Sequence, residues 1–362
     1  MFKAILKTIF VILVISNPFI TQSQGLQPGF IKNEYKELMY ISARTCGASP
    51  EYYNQFPEPS HFKMLYRSQP IGLDNLWDLW VSEDKIAVIS IRGTTQNAES
   101  WLANLYAAMV PAKGVLHLNS QDSFVYNLAA HHHAAVHVGW LLSTAYLSKE
   151  VVPKIEELYK QGFKDFIVTG HSQGGAISYL LYSLQDDHTL PMDIRFKTYC
   201  SAAPKPGNLY YAYEYEAKTQ GVWAFNVVNA ADWVPEVPMS IQTVTDFNDI
   251  NPFNNAEMMI NKEKFLKRLA LKHVYKQLSK PAIKAQKNYE NYLGKMTSKI
   301  IRQKVEGFIP PEYYKSNHYV RTGRTIVLFP DEAYYKIYPN DEKQTFNKPY
   351  LMLLEQLSDS IK

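Results

Sequence analysis

Residues 165–175 have the sequence DFIVTGHSQGG, and the fold can be predicted outward from this segment. Its first five residues predict a short buried strand, and the apolar-rich residues 176–184 predict a helix directly after the turn. A serine between two glycines in this context stands on a tight, strained turn that exposes its hydroxyl group. Gly170 and Gly174 leave room for the turn, because side chains there would collide with the neighbouring strand or helix. The pattern therefore predicts that Ser172 is a nucleophile rather than part of a plain glycine-rich turn.

Strands and helices alternate outward from this turn. Strands are predicted at 79–81 and 86–91, around a polar turn at 82–84, and further strands at 165–169, 194–200, 222–228 and 319–328. Helices are predicted at 33–44, 138–161 and 176–184. This order predicts an α/β fold with a mostly parallel central sheet, helices on both of its faces and an antiparallel hairpin before it.

The segment from about 251 to 306 differs from the rest, because it is helical, basic and free of strand signals. Its part from 262 to 304 has 13 lysines and arginines against 2 glutamates, whereas the whole chain has a net charge of +4. We expect a helical insertion, divided at Pro281, that packs on the main domain. Its charge favours either contact with an anionic membrane surface or an ordinary solvated helical face.

Composition excludes several classes of protein. The chain has 362 residues, of which 46% are hydrophobic and 20% charged, so disordered, collagen-like and coiled-coil chains are excluded. Two cysteines cannot form a disulfide framework or a four-thiolate zinc site, although one Cys46–Cys200 bridge stays open. The small net charge does not argue for a nucleic-acid partner.

The N-terminus is typical of a secretory signal peptide. Lys3 and Lys7 precede an apolar run at 9–15, Pro18 follows, and Ser23 offers a small residue for cleavage. A retained membrane anchor is the alternative, but the run is far shorter than the roughly 20 residues that a spanning helix needs. We therefore expect a signal peptide at 1–23, a single mature domain at 24–362, and a secreted or periplasmic protein.

A serine nucleophile needs a base, and in a sheet of this kind the order along the chain is serine, acid, histidine. Three histidines follow Ser172: His188, His273 and His318. His188 comes before any suitable acid, and His273 lies within the basic segment. His318, in a loop before the last predicted strand, is therefore the predicted base.

Asp232 is the predicted acid, since it follows the strand 222–228 at the carboxyl end of the sheet, where such sites assemble. Asp246 and Asp249 are the fallback candidates, and a turn-capping role for Asp232 is the alternative interpretation.

The oxyanion formed during ester cleavage needs preorganised N–H donors. The backbone of Gln173, directly after the nucleophile, is one predicted donor, and Thr94, in the loop after the strand 86–91, is the other.

Four histidines lie close together in the chain: His131, His132, His133 and His137. No carboxylate or thiolate accompanies them in the sequence, so no metal site is predicted.

Several motifs in one order resemble the class 3 lipases, a family of fungal-type triacylglycerol lipases with the α/β-hydrolase fold. These are IRGT at 91–94, VHVGW at 136–140, VTGHSQGGA at 168–176, APKPGN at 203–208 and NAADWVP at 229–235. The resemblance spans roughly residues 74–328. It implies Ser172, His318 and Asp232 as the triad, and Thr94 and Gln173 as the oxyanion hole.

The resemblance also implies a mobile lid, here between about 96 and 135, with the apolar residues Trp101, Leu105, Tyr106, Met109 and Val110. Ordinary core packing of these side chains is the alternative interpretation. Two features depart from the family: the 86-residue interval between Asp232 and His318, and a loose motif around His318.

The sequence thus predicts an exported serine esterase or lipase that hydrolyses carboxylic ester bonds of lipids, triacylglycerol or phospholipid, without a cofactor. A catalytically silent lipid-binding protein on the same fold and a carboxylesterase for small esters are the alternatives.

Overall fold

The structure is a computed structural model that describes residues 25–46, 50–184, 190–339 and 346–357. The predicted signal peptide at 1–23 and His188 lie outside the described residues. Within the described part of the chain, no helix is both long and apolar enough to cross a membrane.

Thirteen strands occur in the described residues. They are β1 (Lys63–Arg67), β2 (Trp77–Val81), β3 (Ile86–Ile91), β4 (Met109–Pro111), β5 (Lys113–His117), β6 (Ser123–Asn127), β7 (Ala135–His137), β8 (Asp165–His171), β9 (Arg195–Ser201), β10 (Gly207–Asn208), β11 (Ala224–Asn229), β12 (Tyr319–Val320) and β13 (Arg324–Leu328).

The helices of the described residues are α1 (Lys32–Thr45), α2 (Pro50–Tyr53), α3 (Ala98–Leu105), α4 (Val138–Lys160), α5 (Gln173–Ser183), α6 (Leu209–Thr219), α7 (Ala256–Asn261), α8 (Phe265–Glu290), α9 (Thr297–Lys304), α10 (Glu332–Ile337) and α11 (Asn347–Gln356). A π-helical turn, Asn291–Met296, joins α8 to α9.

The main sheet has seven strands in the order β1-β2-β3-β8-β9-β11-β13. Strands β1, β2 and β3 pair antiparallel, and every pair from β3 onward is parallel. Strand β8 is the central strand of the sheet, and all seven of its residues are buried. A smaller antiparallel sheet, β12-β10-β7-β4, and the hairpin β5-β6 lie apart from the main sheet.

Alternate residues of the central strands pack into two different apolar clusters. Phe166 and Val168 contact the cluster that contains α4 and α5, whereas Ile167 contacts the cluster that contains α1 and α11. Successive side chains of a strand point to opposite faces, so helices cover the sheet on both sides. This is the α/β-hydrolase arrangement, and the predicted fold class is confirmed.

Two sequence-based boundaries were wrong. The strand predicted at 319–328 is two strands, since the chain turns at Gly323, which has a φ of 81°. Pro281 does not divide the basic segment, because α8 continues through it and the change of helical form comes ten residues later, at Asn291. Strands β1, β4 to β7 and β10 were not predicted, since each is short and has little periodic pattern.

Candidate active site

Ser172 stands alone between the last residue of β8 and the first residue of α5. Its backbone has φ 57° and ψ −127°, a conformation that is costly for a residue with a side chain. Its N–H donates to the carbonyl of Ser201 at 2.9 Å, which ties the turn to β9. The serine is held on a strained turn at the carboxyl end of the central strand.

The two glycines beside Ser172 are required by close approach. A Cβ atom at Gly170 would lie 2.3 Å from the backbone carbon of Gly174, and one at Gly174 would lie 2.2 Å from the carbonyl oxygen of Ile91. Distances this short are not tolerated between carbon and backbone atoms, so α5 can approach the sheet only with glycine at both positions. These contacts confirm the predicted collision of side chains at both positions.

The N-terminus of α5 starts at Gln173, and the first N–H groups of a helix have no partner within the helix. The Gln173 side chain is buried and fixed by Ser100, because its Nε2 donates to the Ser100 carbonyl at 3.1 Å and its Oε1 accepts from the Ser100 hydroxyl at 3.3 Å. These bonds hold the residue after the serine in one orientation.

The loop after β3 packs against the serine turn. A Cβ atom at Gly93 would lie 2.8 Å from the carbonyl oxygen of His171 and 3.7 Å from the Cβ of Ser172. The next residue, Thr94, accepts a hydrogen bond from Asn104 Nδ2 at its Oγ1, at 2.9 Å. Thr94, Ser172 and Gln173 are therefore gathered at the ends of β3 and β8.

The carboxylate of Asp74 also holds the loop that follows β3, through three side-chain contacts. Asp74 accepts from the Arg92 guanidinium at 2.8 Å, from the Thr95 hydroxyl at 2.6 Å and from Asn97 Nδ2 at 2.9 Å. Donation by the Thr95 and Asn97 side chains, with the Arg92 charge, outweighs burial and lowers the pKa of Asp74. The carboxylate is the ionised anchor of the loop.

Asp232 follows β11 and is buried. Its Oδ2 accepts from the hydroxyl of Tyr350 in α11 at 2.7 Å, and its Oδ1 accepts from the Val234 N–H at 2.9 Å. Burial raises the pKa of the Asp232 carboxyl to about 6, against the opposing effect of these two hydrogen bonds.

His318 lies in the loop before β12 and is half-buried. Its backbone N–H donates to the Ser316 hydroxyl at 3.1 Å, and that hydroxyl donates to Oδ1 of Asp246. Burial lowers the pKa of His318, with the nearby Asp246 acting against this shift and Lys205 adding to it. Asp246 is thus the carboxylate that influences this imidazole.

The three predicted triad residues are not joined in the structure. Among the described residues, no hydrogen bond connects Ser172 with His318, or His318 with Asp232. His273, the other described histidine that follows Ser172, is exposed on α8. Tyr350 was not predicted as the partner of Asp232, because an aromatic residue in an apolar helix is expected to pack in the hydrophobic core.

The predicted lid interval contains α3 and the strands β4, β5 and β6. Its apolar residues divide into two groups, since Trp101 and Leu105 are about half exposed, whereas Tyr106, Met109 and Val110 are buried in the core.

The structure has the α/β-hydrolase fold, with Ser172 on the strained turn between the central strand β8 and α5. The family model of the class 3 lipases matches residues 88–241, a region that includes Thr94, Ser172, Gln173 and Asp232. This region, 154 of the 362 residues, is similar to the class 3 lipases, and the match covers less than half of the chain. His318 lies beyond the matched residues.

Solved structures with a similar fold are fungal lipases. A fungal lipase–inhibitor complex is 20% identical, with 59% of this chain and 77% of the other chain covered, at a TM-score of 0.45. Lipase II of Rhizopus niveus is 23% identical (57% and 74% covered, TM-score 0.42), and the triacylglyceride lipase of Rhizomucor miehei is 20% identical (59% and 77% covered, TM-score 0.44). No curated protein sequence matches the chain significantly.

Proposed function

We propose that the chain hydrolyses carboxylic ester bonds of lipids, with Ser172 as nucleophile, His318 as general base, and Asp232 as the acid that orients it. Ser172 Oγ attacks the ester carbonyl carbon while the imidazole accepts its proton, and the oxyanion binds the N–H groups of Thr94 and Gln173. The C–O bond then breaks, and the alcohol leaves with the proton from His318. Water repeats the sequence on the acyl-enzyme and releases the acid.

The observation that carries this proposal is the strained backbone of Ser172 at the N-terminus of α5. A fold maintains such strain only where the surrounding structure enforces it, and it commonly does so at active sites. The lowered pKa of His318 also supports it, because an imidazole that is neutral at neutral pH can accept a proton.

The orienting acid has two candidates. Asp232 has the expected position in the chain, but Tyr350 donates to it. Asp246 is the fallback, and it interacts with His318 both through its charge and through Ser316. Turnover by Asp232→Asn and Asp246→Asn separates them: under this proposal Asp232→Asn lowers kcat by roughly 10⁴-fold and Asp246→Asn leaves it within a few-fold. The reverse ranking would assign the role to Asp246.

The second candidate is a catalytically silent lipid-binding protein on the same fold. The contact between Asp232 and Tyr350 favours it, because a carboxylate already bonded to a phenol does not orient an imidazole.

Labelling with a fluorophosphonate probe distinguishes the two candidates. Such probes react only with an activated serine, so the proposed enzyme is labelled, whereas Ser172→Ala is not. Ser123→Ala, a change at an exposed serine of β6, is the matched control and keeps the label. His318→Ala should also lose labelling, whereas His273→Ala should keep it. A folded wild-type protein without label would support the binding protein.

The substrate class is proposed to be long-chain lipid esters. Rates on short soluble esters, emulsified triacylglycerol and phospholipid vesicles test this directly. A sharp rise in rate when the substrate exceeds its solubility supports lipid hydrolysis, and preference for dissolved short esters would support a carboxylesterase.

Contact with an anionic membrane surface is proposed for α8. Gln286 and Tyr289 are its buried residues, and large apolar side chains are exposed between its lysines, namely Phe265, Leu266, Leu269, Leu271, Val274 and Leu278. Exposed apolar side chains gain by insertion at the lipid boundary, and each cationic residue near an anionic surface contributes about 1 kcal/mol.

Co-sedimentation with vesicles tests this contact. Leu266→Gln with Leu278→Gln, or Lys272→Glu with Lys276→Glu, should reduce binding to anionic vesicles by about tenfold. The matched controls Leu65→Gln and Lys63→Glu, exposed on β1, should not. Unchanged binding by the α8 variants would leave α8 as a solvated helix.

Export is proposed from the N-terminal residues 1–23. N-terminal sequencing of protein recovered outside the cytoplasm should begin at Gln24, and an intact Met1 in that fraction would contradict cleavage.

A further inference from the structure

Asp249 places a carboxylate beside the histidines, although it lies far from them in the sequence. His133 Nε2 lies 3.0 Å from Asp249 Oδ1, and His132 Nε2 lies 3.5 Å from Asp249 Oδ2. All three ligand atoms lie within 4.8 Å of one another. Two imidazoles and one carboxylate thus converge at one point on the surface.

The spacing of these atoms suits a small metal ion. Zinc bonds of about 2.0–2.1 Å in a tetrahedral site set neighbouring ligand atoms about 3.3 Å apart. The separations of 3.0 and 3.5 Å between the imidazole nitrogens and the Asp249 oxygens lie on either side of this value. The side chains of His132 and Asp249 are about 70% exposed, which leaves a fourth position for water.

The loop that carries the histidines is fixed by other groups. Glu214 accepts from the N–H groups of Ala130 and His131, and the His131 ring stacks on Tyr210 with centroids 4.7 Å apart. His131 Nδ1 accepts from the His133 N–H at 3.2 Å, so this atom is not available as a ligand. The backbone of the loop that carries His132 and His133 is therefore held by contacts that need no ion.

A further contact gives His133 a second hydrogen-bond partner, since its Nδ1 lies 3.0 Å from the Tyr314 hydroxyl. Without an ion, Nε2 donates to Asp249 Oδ1, because a carboxylate only accepts. When an ion takes that place, the neutral ring can carry its proton at Nδ1 instead, donate it to the Tyr314 hydroxyl and offer the Nε2 lone pair to the ion. Ligating histidines in metal sites make this type of second hydrogen bond.

We propose that His132, His133 and Asp249 form a binding site for a divalent transition metal, best suited to Zn²⁺. Imidazole nitrogens favour zinc and its neighbours over Mg²⁺ or Ca²⁺, which prefer all-oxygen ligands. Asp249 lies shortly before α7 and α8, whereas the histidines precede β7. The ion would tie the start of the basic segment to the body of the fold.

Calorimetric titration of the untagged, chelator-treated full chain with Zn²⁺ tests the site. We expect one ion per chain, with affinity reduced about tenfold or more in His132→Ala, His133→Ala and Asp249→Asn. These residues are exposed or on loops, and unchanged far-UV circular dichroism checks the fold. His61→Ala is the matched control, since His61 is an exposed histidine paired with Glu37, and it should bind Zn²⁺ as the wild type does.

Limited trypsin digestion gives a second readout that does not depend on activity. Zn²⁺ should slow cleavage at Lys262 and Lys264 in the wild type and not in Asp249→Asn. Absence of binding, binding equally tight in Asp249→Asn, or the same tightness for Mg²⁺ would each overturn the proposal.

Discussion

At the scale of single residues, strain and burial mark two members of the candidate site. Ser172 has a positive φ, and Asp232 is a buried carboxyl group whose pKa is raised. Both features cost folding free energy, and both occur at residues to which we assign chemistry. A single substitution removes the strain at Ser172, and another removes the titratable carboxyl group of Asp232.

Ser172→Gly is expected to stabilise the fold by about 1 kcal/mol and to abolish ester hydrolysis. Glycine adopts the backbone angles of position 172 without strain, and this gain exceeds the entropy that glycine adds to the unfolded chain. Urea unfolding measures the change, and Ser172→Ala is the control that keeps the strain. Equal stability of the glycine and alanine variants would show that the turn is relaxed.

Asp232→Asn is expected to change how stability depends on pH. Burial raises the pKa of Asp232 from 3.8 to about 6, so the folded state holds a proton more tightly than the unfolded state. The resulting stabilisation is complete below pH 3.8 and is lost as the pH rises through about 6. The wild type should lose up to about 3 kcal/mol relative to Asp232→Asn between about pH 4 and pH 7. Parallel stability curves for the two proteins would contradict the raised pKa.

The hydrogen bond between Asp232 and Tyr350 is a contact that could not be predicted from the sequence. Asp232 and Tyr350 are 118 positions apart, and nothing near either residue indicates the pair. The strained turn at Ser172, by contrast, could be predicted because the glycines that it needs are its neighbours in the sequence. Local geometry can be predicted from the sequence, whereas a hydrogen bond between distant elements cannot.

At the scale of elements, the contact between α5 and the sheet depends on the glycines. The backbone of α5 approaches the end of β3 so closely that a methyl group at Gly174 would overlap the Ile91 carbonyl. The strands that were predicted correctly are long and apolar, like β3 and β8. The short strands and the continuity of α8 through Pro281 were not predicted, because tertiary contacts decide them.

Gly174→Ala is therefore expected to destabilise the fold by about 3 kcal/mol, since backbone atoms of β3 would have to shift. Thermal unfolding measures this. Gly114→Ala is the control, because the atom nearest to an added Cβ there is the Tyr126 hydroxyl oxygen at 3.2 Å, whereas at Gly174 it is a backbone oxygen at 2.2 Å. If Gly174→Ala were as stable as the control, the close approach would be wrong.

At the scale of the whole molecule, the charge is separated. The residues 262–304 carry a net charge of +11, whereas the rest of the chain has a net charge of −7. Such a molecule orients in the field of an anionic surface, with the basic helices facing it. This asymmetry can be counted directly from the sequence, although the sequence does not indicate where the segment lies in the fold.

Binding to anionic vesicles is accordingly expected to weaken by at least about tenfold between about 50 and about 300 mM salt, as the screening length shortens. Co-sedimentation measures this, with zwitterionic vesicles as the control. Salt-independent binding would mean that apolar contacts alone hold the protein on the surface.

Helix α8 has a consequence for how this chain can be altered. From Phe265 to Ala285 no side chain of the helix is fully buried, and most are exposed, so the interior of the protein places little demand on the exposed positions. The exposed lysines and leucines of those turns could be substituted together, and the protein would be expected to stay folded. If such replacements left the fold intact but reduced binding or activity, the loss would measure the contribution of α8 to contacts with other molecules.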